Sequence, residues 1–151
     1  MNLVHITDRS DVLVAQQVAK RIAHSVGFDR SACAELMIVA SELASNILKY
    51  GQRGVLRAEP VDDAERGVGI RIVAEDEGPP FKSFETALRD GFDDEGPVQA
   101  TAFVTRRGTA SGLGAVSRLS DELRMLPLEK GKAVVATRYV TPAGRRRSIR
   151  S

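Results

Sequence analysis

The chain reads LMIVASELASNILKY over residues 36–50, and this stretch decides the fold. Its apolar side chains recur at intervals of three and four, which is the spacing of one face of an α-helix. These side chains are Leu36, Val39, Leu43, Ile47 and Tyr50. The pattern predicts a long core helix that is capped by Asp29 or Ser31 and stops at Gly51.

The flanking segments predict further helices and a sheet. One helix over residues 12–26, capped by Ser10 or Asp11 and ended by Gly27, precedes the core helix, and another covers residues 112–121. Apolar alternation between turn residues indicates strands, in chain order at 3–7, 54–60, 67–74, 122–128 and 133–139. Because strands and helices do not alternate one for one, the order favours an α+β fold. We expect a two-layer sandwich with helices on one face of a mostly antiparallel mixed sheet.

Length and composition predict one soluble domain. A chain of 151 residues with 42% hydrophobic and 28% charged residues is typical of a single globular unit, which we place at residues 1–142. Residues 143–151 are rich in arginine and are expected to form a basic, disordered tail. Cys33 is the one cysteine and cannot form an internal disulfide, which fits a cytoplasmic protein.

Several classes of function are disfavoured by the sequence. No apolar run is expected to reach the ~20 residues of a membrane span, and the N-terminus lacks the pattern of a signal peptide. His5 and His24 are isolated, which argues against a zinc-type site. The net charge of +2 is too small to imply a nucleic-acid partner. We therefore expect neither a membrane nor a nucleic acid among the partners.

Polar residues on the core helix suggest chemistry with phosphates. Glu42, Asn46 and Lys49 lie on neighbouring turns of one face. An asparagine offers a neutral oxygen to a hard cation such as Mg²⁺, a glutamate can accept a proton, and a lysine can neutralise phosphate charge. Together they would serve phosphoryl transfer. The alternative is the polar stripe of an ordinary amphipathic helix, since the opposite face already supplies the core.

Two glycine-containing stretches offer further contacts to a nucleotide. Asp76 follows a strand, where its carboxylate can accept a hydrogen bond from an exocyclic amine such as that of adenine, and Gly78 allows close approach of a base. Gly112 and Gly114 begin a helix, where backbone N–H groups favour a phosphate. Residues 92–111 have no clear period and predict a lid. Ordinary turns and loops are the alternative for these glycines.

Taken together, these motifs resemble the GHKL ATPase/kinase superfamily, whose nucleotide site is called the Bergerat fold, over about residues 10–140. Within it, the chain is similar to the RsbT-like switch serine/threonine kinases of bacterial partner switching and to related anti-sigma factors. The matching stretches are SELASNILKY at residues 41–50, EDEGP at 75–79, ALRDGF at 87–92 and GLGAVSRLSDE at 112–122.

The resemblance implies a role for each matching residue. Asn46 would hold Mg²⁺, Glu42 would be the catalytic base that deprotonates the attacking hydroxyl, and Lys49 would lie near the phosphates of ATP. Asp76 would bind adenine, with Gly78 beneath the base. The phosphates would meet Gly112, Leu113 and Gly114 under the lid.

The resemblance also implies partners. Similar proteins phosphorylate a serine or threonine of a small STAS-domain antagonist. They bind that antagonist, a sigma factor or a PP2C-type phosphatase, and the resemblance allows a homodimer.

Three positions depart from the family's pattern. Pro80 and Ala110 stand where glycines are usual, and Gly131-Lys132-Ala133 stands where a Gly-Thr-Thr type of stretch is usual. Pro80 removes a backbone donor and fixes φ. Loss of the late hydroxyls removes contacts to adenine. We therefore expect weak nucleotide affinity, or a requirement for a partner that orders the lid.

These observations leave two main functions open. The retained Glu42 favours an ATP-dependent kinase, whereas the altered glycine motifs favour a binding module that sequesters a partner by its surface alone. A nucleic-acid binder acting through the arginine-rich tail is a third hypothesis, which the absence of interleaved aromatic residues disfavours.

Overall fold

The structure is a computed structural model of the chain, and it describes residues 2–50, 53–79, 92–93, 96–97 and 112–141. In chain order the elements are β1 (Leu3–Ile6), α1 (Arg9–Val26), α2 (Arg30–Tyr50), β2 (Gly54–Asp63), β3 (Gly67–Asp76), β4 (Phe92–Asp93), β5 (Gly96–Pro97), α3 (Gly112–Arg118), β6 (Glu122–Leu128) and β7 (Gly131–Tyr139).

Five of these strands form one sheet in the order β1-β2-β3-β7-β6, and β4 pairs only with β5. Within the described residues every pairing of neighbouring strands is antiparallel. The helices pack on one face of the five-stranded sheet, against a single cluster of buried apolar residues. The prediction of an α+β two-layer sandwich with a mostly antiparallel sheet is therefore confirmed.

The core lies between α1, α2 and the inner face of the sheet. The inner face is carried by alternate residues of three adjacent strands: Leu56, Ala58, Ile70, Ile72, Ala74, Val134 and Ala136. The helix α2 buries four residues of its predicted apolar stripe, Leu36, Val39, Leu43 and Ile47, whereas Tyr50 at the end of the stripe is only partly buried. Side chains alternate along β3, so Asp76 lies on the same inner face as Ala74 and its carboxylate faces the helices.

Strand β2 runs past the point where the sequence predicts its end. The prediction stops at Pro60, but the strand continues to Asp63. Ala58 N donates to Asn2 O, so the nitrogens at positions 58 and 60 both face the β1 side of β2. The pairing with β1 ends at Arg57, so it does not extend to Pro60. The missing N–H of Pro60, two residues beyond Ala58, therefore lies on an edge that no other described strand covers, where no ladder bond between described strands is lost.

The start of α1 also differs from the prediction. The cap is Asp8 rather than Ser10 or Asp11, and it accepts a hydrogen bond from Ser10 N at 2.9 Å. Asp11 instead occupies the third helical position and accepts from Asp8 N at 3.0 Å, which completes a capping box. The helix therefore begins one turn earlier than its apolar spacing alone indicates.

The helix α2, with 21 residues, is long enough to cross a membrane, and an 18-residue window within it is apolar enough, with a mean hydropathy of 1.3. The expectation that no apolar run reaches the length of a membrane span is therefore wrong for α2. Core helices of globular proteins pass the same test, and α2 packs its buried stripe against α1 and the sheet. Its composition reflects that burial.

Other predictions concern residues that the structure does not describe. The tail at 143–151 lies outside the described residues. So do Pro80, Ala110 and most of the lid at 92–111. Of the lid, only the short pairing of Phe92 with Pro97 and of Asp93 with Gly96 is described.

Two glycines with positive φ provide a matched test of the packing. Gly27 has φ 115° and open space where a Cβ would stand, whereas Gly131 has φ 102° and a Cβ that would collide with the carbonyl oxygen of Asp76. We expect Gly27→Ala to cost about 1–2 kcal/mol of unfolding free energy from backbone strain alone. We expect Gly131→Ala to cost at least about 1 kcal/mol more, because the collision adds to the strain.

Urea denaturation followed by circular dichroism measures both variants. Equal losses of unfolding free energy would contradict the close approach of β7 to the end of β3.

Candidate functional site

Glu42 lies in an unusual environment on α2. The residue is partly buried, but its Oε2 atom is shielded from solvent and has no hydrogen-bond partner among the described residues. Burial raises the pKa of Glu42 from 4.5 to about 7. Because an unpaired buried carboxylate is costly, a site that keeps one is a functional candidate.

The N-terminus of α3 is held directly against Glu42 and Asn46. A Cβ atom on Gly112 would lie 2.8 Å from Glu42 Oε2 and 3.9 Å from Asn46 Nδ2. Any side chain at this position would therefore push against the carboxylate. Leu113 and Gly114 are buried on the same short helix, where Leu113 joins the core. The structure thus brings the starts of the SELASNILKY and GLGAVSRLSDE stretches together.

Asp76 is fixed by hydrogen bonds at the end of β3. Its Oδ1 atom accepts from Gly78 N at 2.9 Å and from Lys132 Nζ at 3.0 Å. Lys132 Nζ also donates to Pro79 O at 3.0 Å, so the ammonium group ties the carboxylate to the turn that follows it. The side chains of Lys132 and Asp76 are only 3% and 6% exposed. Removing one partner of such a buried ion pair costs about 3–5 kcal/mol.

The end of α2 and the end of β3 meet at Gly54. A Cβ atom on Gly54 would lie 2.6 Å from Ile47 Cγ2 and 3.2 Å from Asp76 Cβ. Ile47 is the neighbour of Asn46 in the sequence. The Asn46 turn of α2 and Asp76 therefore lie at the same end of the molecule, as one site shared by the SELASNILKY and EDEGP stretches requires.

Lys49 is the predicted site residue that the structure does not tie to the group. It is exposed on the last turn of α2, and no hydrogen bond or ion pair between the described residues joins it to Glu42, Asn46 or Asp76. Gly78, by contrast, is buried and bonded to Asp76.

Lys132 is the site residue that sequence reasoning missed. The sequence predicts β7 from Ala133, which leaves Lys132 in the turn, but the strand begins at Gly131 and pairs Lys132 directly with Asp76. The sequence did carry a signal for Lys132, because a lysine stands there in place of the usual hydroxyl residue. It lies opposite the end of the strand that carries Asp76. Cross-strand neighbours on one face interact, and opposite charges there attract.

A cavity of about 560 Å³ opens nearby at the end of the sheet. It is lined by Gly54 and Asp76 together with Thr7, Arg53 and Lys130, among others. Asp76 borders this cavity, whereas Glu42 and Asn46 are not among its described lining residues, so the cavity adjoins only the Asp76 side of the predicted nucleotide site.

The environment of Glu42 predicts a pH-dependent gain in stability for Glu42→Gln. The carboxyl group loses its proton near pH 4.5 when unfolded and near pH 7 when folded. The folded state therefore binds more protons between these values, and the contribution of Glu42 to stability falls as pH rises through this window. The neutral amide escapes this loss. We expect the melting temperature of Glu42→Gln to exceed that of the wild type more at about pH 8 than at about pH 5.

Thermal melting across this pH range measures the difference. Glu129→Gln, a change at an exposed turn residue, is the matched control and should show no such trend. A constant difference between Glu42→Gln and the wild type would contradict the buried environment.

Comparisons with known proteins agree with this geometry. A family model described as "Histidine kinase-like ATPase domain" matches residues 7–138. The chain is also similar to "Serine/threonine-protein kinase RsbT" of Bacillus subtilis (strain 168), with 33% identity over 123 residues, covering 81% of this chain and 83% of that protein. Both findings confirm the resemblance to the GHKL superfamily and its RsbT-like group. The chain belongs to the histidine kinase-like ATPase family.

Proposed function

We propose that the protein is an ATP-dependent serine/threonine kinase of a partner-switching pathway, which phosphorylates a STAS-domain antagonist. Its family and its similarity to a serine/threonine kinase support nucleotide binding and the kinase class. One structural observation carries the proposal. Glu42 Oε2 is buried with no hydrogen-bond partner among the described residues, next to Asn46 and against the first residue of α3.

Glu42 is suited to act as the general base. A base works best when its pKa lies near the operating pH, because it then binds a proton strongly while a large fraction of the group is still ionised. Burial brings the pKa of Glu42 to about 7. Its Oε2 atom, which accepts no hydrogen bond from the described residues, would accept the proton of an attacking serine or threonine hydroxyl.

Asn46 and the start of α3 would receive the phosphates. The amide oxygen of Asn46 is a ligand type that Mg²⁺ accepts, and the ion would neutralise charge on the phosphates when bound. Glycine at position 112 lets the start of α3 lie directly against Glu42, where a Cβ atom would stand only 2.8 Å from Oε2. The residues present therefore fit a magnesium nucleotide, with Leu113 anchoring the short helix in the core.

Asp76 would receive the base. Its two described hydrogen bonds both end on Oδ1, which directs the other oxygen, Oδ2, to an incoming amine. Gly78, held by the same carboxylate, would lie beneath the ring. We place this reaction in the cytoplasm, consistent with the single buried cysteine, Cys33.

The alternative is a module that binds a STAS protein, a sigma factor or a PP2C-type phosphatase without transferring phosphate. The buried Asp76–Lys132 pair favours it, because the carboxylate assigned to the base is already engaged by a cation. Nucleotide binding and phosphotransfer separate the two functions.

The decisive experiment follows phosphate transfer from labelled ATP to a STAS-domain protein encoded by the same genome. We expect transfer with Mg²⁺, loss of at least about a hundredfold in Glu42→Gln, which removes the general base, and loss of Mg²⁺-dependent ADP binding in Asn46→Ala by calorimetry. Glu129→Gln is the matched control and should transfer phosphate like the wild type. Tight binding of the STAS protein with no transfer would establish the module instead.

The rate of transfer should also depend on pH. Only the ionised form of Glu42 can accept a proton, so the rate should rise with pH and level off above its pKa of about 7. Single-turnover kinetics at saturating ATP measure this profile. A rate that is flat between about pH 5 and about pH 9 would remove Glu42 from the role of base.

A further inference from the structure

A cation already lies at the carboxylate that a purine amine has to reach. Lys132 Nζ is 3.0 Å from Asp76 Oδ1 and 3.0 Å from Pro79 O, with its side chain only 3% exposed. Gly78 N donates to the same Oδ1 atom at 2.9 Å. An ammonium group and an exocyclic amine are both N–H donors, so Lys132 occupies the chemical role that the base would take.

The position of Lys132 is fixed by the backbone. It stands directly opposite Asp76 in the β3–β7 ladder, and the next residue toward the hairpin, Gly131, packs against the carbonyl group of Asp76. The ammonium therefore cannot leave by a shift of the strand. The ammonium group can move away from Asp76 only by rotation of its own side chain. If it stays, the base has to bind at Oδ2, the carboxylate oxygen that the ion pair leaves available.

We propose that Lys132 restrains nucleotide binding by competing with the amino group of the base for Asp76. This inference rests on the proposed function, since it assigns Asp76 to the base. Two physical effects act in the same direction. If the base displaces Lys132, a buried ion pair has to be broken. If the base instead binds at Oδ2, it meets a carboxylate whose charge the ammonium has already neutralised, which is a weaker acceptor.

The sign of the effect makes the inference testable. Removing a positive charge near an anionic ligand ordinarily weakens binding. Competition for Asp76 predicts the reverse for Lys132→Thr, because the carboxylate becomes fully available to the amine. The gain should be confined to ligands that carry this amine.

The experiment is calorimetric titration of wild type and Lys132→Thr with ADP and Mg²⁺. We expect the variant to bind ADP about tenfold to a hundredfold more tightly, the range that one charge-assisted hydrogen bond contributes. Purine riboside 5′-diphosphate lacks the exocyclic amine, and tripolyphosphate lacks the base. Neither ligand should bind more tightly to the variant.

Two further variants complete the design. Lys130→Thr removes the same charge from an exposed position two residues away and should leave ADP affinity unchanged. Lys132→Gln keeps an N–H donor for Asp76 without the charge, so it guards against loss of folding in Lys132→Thr. It should give a smaller gain in ADP affinity.

The outcomes separate this inference from the function on which it rests. If wild type binds ADP and both Lys132 variants bind it equally or more weakly, Lys132 positions Asp76 rather than restrains binding, and the inference alone is overturned. A gain that extends to tripolyphosphate also overturns it. If neither wild type nor any variant binds ADP with Mg²⁺, the proposed function fails, and the inference fails with it.

Discussion

The site depends on how closely α2 approaches the sheet at Gly54. A Cβ at this position would stand 2.6 Å from Ile47 Cγ2, a distance that real side chains do not reach, so only glycine admits the helix here. Ile47 is fully buried, and its neighbour Asn46 is carried toward the strand end that bears Asp76. A larger residue at Gly54 would force the helix and the strand apart. The convergence of the motifs is thus set by backbone packing before any ligand binds.

The second feature on which the site depends is the hydrogen bonding of its two buried carboxylates. Most buried polar atoms in proteins are hydrogen-bonded, and around Asp76 this rule is obeyed by Gly78 and Lys132. Glu42 departs from it, because within the described part of the chain Oε2 lies against Gly112 and meets no donor. The carboxylates of Asp76 and Glu42 therefore lie in different environments. Asp76 is held by hydrogen bonds and paired with a cation, whereas burial keeps Glu42 partly protonated at neutral pH.

Much of this arrangement could be predicted from the sequence because it follows from periodic patterns. The stripe of α2 fixed which face of the helix is buried, and alternation along β3 fixed which face carries Asp76. What escaped prediction depends on exact ends and registers. The true starts of α1 and β7 lie one turn and two residues earlier than their apolar patterns indicate.

The shift in β7 had the larger effect, since it moved Lys132 from a turn into the ladder opposite Asp76. No local pattern distinguishes a lysine at a hairpin from a lysine at the first paired position of a strand. The burial of Glu42 Oε2 was equally hidden, because it arises from the docking of α3, a contact between residues 70 positions apart in the chain. Charge partners across a sheet and solvent exclusion between helices are tertiary properties, and spacing along the chain does not encode them.

The uncovered end of β2 has a consequence for the behaviour of the protein at high concentration. Beyond Ala58 this strand has no neighbour on its outer side among the described residues, and such a border can recruit strands from other molecules. Pro60 removes a donor from that border, and Asp62 and Asp63 add repulsive charge to it. The same proline that the chain tolerates in its own sheet thus discourages intermolecular strand addition and protects the protein against aggregation.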